Sequence, residues 1–143
     1  LNGRAAEEEY LAWLAQAMPA SAILMTTGDV DPWWVQRRIG RTVYYDVEHG
    51  GRMVLDGGEV AWGRNVSTFF PDATRNHEIL DSIWQRGDEI WFYRPGPDRP
   101  PQTFTPRFVG EETYTEFEVV PIRTYPQDGR RAAYVVRPPG PGA

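Results

Sequence analysis

The chain contains neither cysteine nor lysine: all 15 basic side chains among its 143 residues are arginine. Without a thiol there is no thiolate nucleophile, no disulfide, no thiolate zinc site and no iron–sulfur cluster. Without an amine there is no Walker-type phosphate-loop lysine, no Schiff base and no kinase lysine. Uninterrupted apolar runs extend to only a handful of residues, which excludes a membrane-spanning helix. Plentiful Arg, Ala, Gly and Pro explain the missing lysine most simply as the mark of a GC-rich genome. The sharper alternative is selection against lysine-directed degradation, as would suit a bacterial protein delivered into a foreign cell.

What is present describes an ordinary folding unit. Hydrophobic residues make up 41% of the chain, enough for a core, and at this length folding buries about two-thirds of the unfolded surface without a metal or disulfide staple. The net charge of −5 disfavours general nucleic-acid binding, whose affinity comes from neutralising phosphates. No secretory signal is visible, since the first twenty or so residues read as an amphipathic helix instead of a basic stretch followed by an apolar one. Leu at position 1 and the tail Pro138-Pro139-Gly140-Pro141-Gly142-Ala143 lead us to expect a module of something longer: one domain over 1–137, then a Pro/Gly linker at 138–143. The expected setting is cytoplasmic, or within a larger exported protein. Composition does not address oligomeric state.

Periodicity supplies the layout. Asn2 is placed to cap a helix in which Tyr10, Leu11, Leu14, Ala17 and Met18 form one stripe, and Pro19 ends it. Ala22 to Thr26 reads as a short buried strand, and Pro32 opens a short helical turn through Arg38. Val43, Tyr45 and Val47 alternate with polar or outward residues, as in a half-buried strand, and the glycine pairs at 50–51 and 57–58 punctuate two more short β runs. Asp72 to Gln85 reads as a second amphipathic helix, stopped by Gly87, and Glu89 to Tyr93 as an aromatic strand. Five prolines between 95 and 106 predict an extended loop. Strands are expected at Thr113 to Val120 and Ala132 to Arg137. The sum is an α+β domain, a largely antiparallel β-meander packed with two to three helices.

No complete catalytic set stands out, whereas aromatic residues are abundant. Trp33, Trp34, Arg37, Arg38 and Arg41 crowd one short segment, and indole faces attract both guanidinium groups and planar ligands. The competing reading buries one tryptophan and lays arginine stems over it. Together with Tyr44, Trp91 and Tyr93, the residues Trp33, Trp34, Arg37 and Arg41 are the expected lining of a cleft for a peptide, a protein or a small aromatic ligand. His77 and Asp81 share a helix face and could reach one metal ion, but half of a helical zinc-protease motif is missing and His49 is the only other histidine, so no metal is expected. Ser21, Ser67 and Ser82 lack a G-x-S-x-G elbow. Glu116 and Glu118 lie on the same side of a strand, where paired carboxylates can divide acid and base work or simply form a solvent-facing row.

Val66-Ser67-Thr68 before a helix, followed by Glu116-Phe117-Glu118 on a strand, is similar to the order of elements in arginine–serine–glutamate ADP-ribosyltransferases. That resemblance implies NAD as cofactor, Ser67 in its holding segment and Glu118 driving transfer to an acceptor, as in a toxin domain. Arg41 stands nearest to the family's strand arginine but lacks its usual neighbours. The expectation we carry forward is a non-catalytic binding or interaction module, with the transferase as alternative.

Overall fold

The computed structural model describes residues 3–26, 30–45, 52–54, 60–62, 76–96, 100, 103–104 and 117–138. Their elements, in chain order, are α1 (Gly3–Ala17), β1 (Ile23–Thr26), α2 (Pro32–Ile39), β2 (Val43–Tyr45), β3 (Arg52–Val54), β4 (Val60–Trp62), α3 (Asn76–Gln85), β5 (Ile90–Tyr93), β6 (Thr103–Phe104), β7 (Phe117–Thr124) and β8 (Ala132–Arg137). The strands form one mixed sheet in the order β4-β3-β2-β1-β5-β8-β7-β6.

The α+β class stands, but the meander is only half of the sheet. β2, β3 and β4 are antiparallel neighbours, as are β5, β8, β7 and β6. At the centre, however, β1 runs parallel to β2 and to β5, with Leu24 opposite both Val43 and Trp91. A parallel pair needs a crossover of a dozen or so residues, and residues 27–42 with α2 inside them supply one. The short helix after Pro32 is thus the return arm of a β–α–β unit.

A parallel centre requires cover on both faces, and the sheet has it. Met25, Tyr44, Ile90, Phe92, Tyr134 and Val136 pack under Ile79, Leu80 and Ile83 of α3. Their chain neighbours Leu24, Val43, Tyr45, Trp91, Tyr93, Ala133 and Val135 face the other way, against Tyr10, Leu11 and Leu14 of α1 and Val35 and Ile39 of α2. Every residue of β2 and of β5 is therefore buried. The half-buried alternation expected for the Val43 strand gives way to a strand buried on both sides, because α3 covers the face assigned to solvent. β7 keeps the expected alternation only at its start, Phe117 and Val119 being buried and Glu118 exposed. Its later half departs from the regular ladder between Pro121 and Arg123, where proline's missing N–H is tolerated at an irregularity.

The helix ends are fastened by specific groups. Asp31 accepts from the backbone N–H of Trp33 (3.1 Å) and Trp34 (3.3 Å), with Pro32 in the first turn of α2. Gly40 closes the helix at φ 64°, a left-handed conformation that costs a side-chain-bearing residue strain. α1 borrows its terminal cap from the connection between α2 and β2: Arg41 donates to the carbonyls of Ala15 (3.3 Å) and Met18 (3.5 Å). The helix expected from Asp72 begins at Asn76 in the described residues, the stretch before it lying outside them. Part of the proline-rich stretch is likewise undescribed, but Thr103–Phe104 within it pairs with β7 as a short strand. No helix among the described residues is long and apolar enough to cross a membrane.

Candidate functional site

From β1 the chain crosses by α2, on one face, to β2; β5 arrives on the opposite flank of β1 after α3, on the other face. The carboxyl ends of β1 and β5 are therefore where the two windings part, the position at which open sheets with parallel strands leave a crevice. Thr26 ties these ends together, its hydroxyl donating to the Tyr93 carbonyl at 3.0 Å. Beyond Tyr93 the chain continues through Arg94, Pro95 and Gly96, and beside it stands the turn that joins β7 to β8.

A cleft of about 560 Å³ opens there, lined among others by Gly3, Ala6, Glu9, Gly96, Tyr125 and Arg130. It exists because α1 presents almost no side chain at Gly3 and Ala6, so nothing fills the gap opposite the turn. Its base is a closed network. Arg131, its side chain only 7% exposed, makes a bidentate pair with Glu7, both contacts 2.7 Å. The same guanidinium donates to the Arg94 carbonyl (3.0 Å) and lies 3.6 Å over the Tyr10 ring. Tyr93 donates to Glu7 (2.7 Å), and Tyr10 donates to the Ala132 carbonyl (2.6 Å). Tyr125 packs edge-on to Tyr10, 5.2 Å between ring centres, and against Trp13 at 5.0 Å.

The electrostatics follow from this geometry. Burial pushes the Glu7 carboxyl upward, but hydrogen bonds from Arg131 and Tyr93, the Arg131 charge and the Gly96 N–H outweigh it, so its pKa is lowered. Burial opposes the charge on Arg131, yet Glu7 prevails and holds it protonated more firmly than usual. The Tyr93 hydroxyl is pushed up by burial and then by the hydrogen bond it donates to Glu7; that of Tyr10 is pushed up chiefly by burial. At the rim, the Arg130 side chain lowers the pKa of Asp128 by hydrogen bonding to it.

Most residues expected to line a cleft are elsewhere. Tyr44, Trp91 and Tyr93 are at most 3% exposed and belong to the core, because the sheet is covered on both faces. Tyr93 reaches the cleft only from beneath, through its hydroxyl. Trp91 donates to the Glu89 carboxylate at 2.7 Å. Trp33 is half-buried and packs against Tyr45, 6.0 Å between ring centres. Arg41 is spent on the end of α1. Trp34 is half-buried against the core beneath α1 and α2, with the Arg38 guanidinium 4.5 Å over its ring, and Arg37 is exposed; neither lines the cleft. Ile122 is the one large hydrophobic residue exposed among the described residues, so the contiguous aromatic surface expected from the sequence is not formed by them.

Of the other expectations, Ser67 and Glu116 lie outside the described residues, and Glu118 is an exposed position of β7 paired with Thr103 and Arg137. Asp81 follows His77 by four residues on α3, and among the described residues no three acidic or histidine side chains gather as a metal site. The residues that build the cleft, Glu7, Tyr10, Tyr125, Arg130 and Arg131, carry little local signal. Glu7 is one of three consecutive glutamates, and its partner lies 124 positions away. The visible hint is Asp128-Gly129, a turn dipeptide placing two arginines before an apolar strand. No family model matches the chain, and no curated protein or solved structure matches it.

Proposed function

We propose that the chain is a non-catalytic binding module that receives a peptide segment or a small planar ligand in the cleft beside β5. The observation that carries this reading is the cleft itself: a pre-formed hollow of about 560 Å³ at the carboxyl end of β5, walled by Tyr125 and Arg130. Its volume lies in the range of small-molecule and peptide sites, and its place at the parting of two windings is where such sites recur. The residues that support this reading are Tyr125, Arg130 and Arg131, none of which the sequence singled out.

The titration behaviour favours holding over turnover. General acids and bases work when their pKa values approach neutrality. Here Glu7 moves down while Tyr10, Tyr93 and Arg131 move up, all away from it. Those shifts suit a rigid floor that keeps its charges fixed. A protein-observed NMR screen of planar fragments and short peptides tests the reading. Ligands should shift the amides of Ala6, Gly96, Gln127 and Arg130, and Ala6→Trp, which fills the cleft from an exposed position, should abolish those shifts. Ligands that bind Ala6→Trp as well as the parent chain would end the proposal.

A further inference from the structure

We propose that the outer face of α1 and α2, centred on Trp34, is a docking surface for an acidic protein segment. Two guanidinium groups lie over the Trp34 ring, Arg38 at 4.5 Å and Arg4 at 5.2 Å from its centre. Both share a single carboxylate, Glu8, at 2.8 Å from Arg38 and 3.7 Å from Arg4. Arg37, one helical turn beyond Trp34, is exposed and has no ion pair among the described residues. Among the described residues, Arg4, Arg37 and Arg38 stand against Glu8 and Asp31, an excess of positive charge on a chain whose net charge is −5.

Among the described residues, nearby acids reduce that excess without removing it. Asp31 accepts from the neutral Trp33 and Trp34 amides, so its charge offsets one more of the three cations, while Glu7 is neutralised by Arg131. A guanidinium stacked on an indole uses its flat face and keeps its in-plane N–H groups for other acceptors. Carboxylates fit those donors in pairs. Stacking also fixes the arginine side chains beforehand, so less rotamer freedom is lost when a partner binds. Trp and Arg are the residue types in which binding energy concentrates. The side chains of Arg4, Glu8 and Arg38 are 66%, 44% and 30% exposed, so all three are reachable from solvent.

The test titrates the folded chain with an oligoglutamate peptide, an oligolysine of equal length and a single-stranded oligothymidylate, followed by amide NMR at low and high salt. Oligoglutamate should shift Arg4, Trp34, Arg37 and Arg38 and should weaken as salt rises. Arg4→Glu combined with Arg37→Glu should weaken it about tenfold or more. The milder pair Arg4→Gln and Arg37→Gln serves if the charge reversal perturbs folding. Absence of oligoglutamate binding at low salt overturns the proposal, as does binding that survives both variant pairs. Oligothymidylate binding here without oligoglutamate binding also overturns it, in favour of a nucleic-acid surface. Shifts at Gly96 and Gln127 do not bear on this face, so the two binding proposals fail separately.

Discussion

Arg131 combines tasks that are usually divided among residues. It neutralises Glu7, satisfies the Arg94 carbonyl and covers the Tyr10 ring, all from a buried position. Removing one member of such a pair leaves the other charged and desolvated, whereas removing both is far cheaper. Arg131→Met should therefore lower stability by about 3–5 kcal/mol in urea denaturation, and adding Glu7→Gln should recover a large part of that loss. The pH dependence follows from the same contacts. Glu7 has a folded pKa below the ordinary 4.5, so its contribution is complete above that value and declines as pH falls through the native one. Tyr10 and Tyr93 have folded pKa values raised from 10.0; their contribution is complete below pH 10 and lost as the solution becomes more alkaline. Denaturation midpoints measured across pH should fall at both extremes, and Glu7→Gln should flatten the acid side. None of this was legible locally, since an ion pair spanning 124 positions leaves no periodic trace.

The elements were more readable than their assembly. Asp31-Pro32 and Gly40 mark the start and end of α2 in the sequence, and the structure uses them as cap, first turn and left-handed stop. Asp31→Ala should cost about 1 kcal/mol, as for other helix caps, and its thermal midpoint should fall without loss of native fold. Gly40→Ala should cost a comparable amount, because Gly40 is at φ 64°. The parallel centre escaped because the strand after α2 alternates as an antiparallel strand with a solvent face would. The period of a strand reports where side chains point, not what covers them. Tyr44 illustrates the difference: its position in the alternation points it outward, and only α3, packed on that face from far along the chain, makes it interior. The site was less legible still. Trp33, Trp34 and Arg37 are conspicuous as neighbours in the sequence, while Gly3 and Ala6 shape the cleft by lacking side chains.

At the scale of the molecule, two hydrophobic layers share one sheet, α3 on one side and α1 with α2 on the other. Leu80 of α3, fully buried against the sheet, should cost about 2–5 kcal/mol when truncated to alanine, read by urea denaturation. Native-state hydrogen exchange should be slowest in β1 and β5, at the centre of the sheet, and in β8 beside them, and faster in the later half of β7. The place of β8 has a temporal consequence. β8 follows β5 and β7 in the chain yet is inserted between them, and Arg131 stands at its entry. Until it emerges, β5 has an open flank, α1 has no counter-charge for Glu7, and Tyr10 has no carbonyl to bond. Vectorial synthesis thus yields a nascent chain in which α1 waits on β8, about 115 residues later, before its contacts are complete.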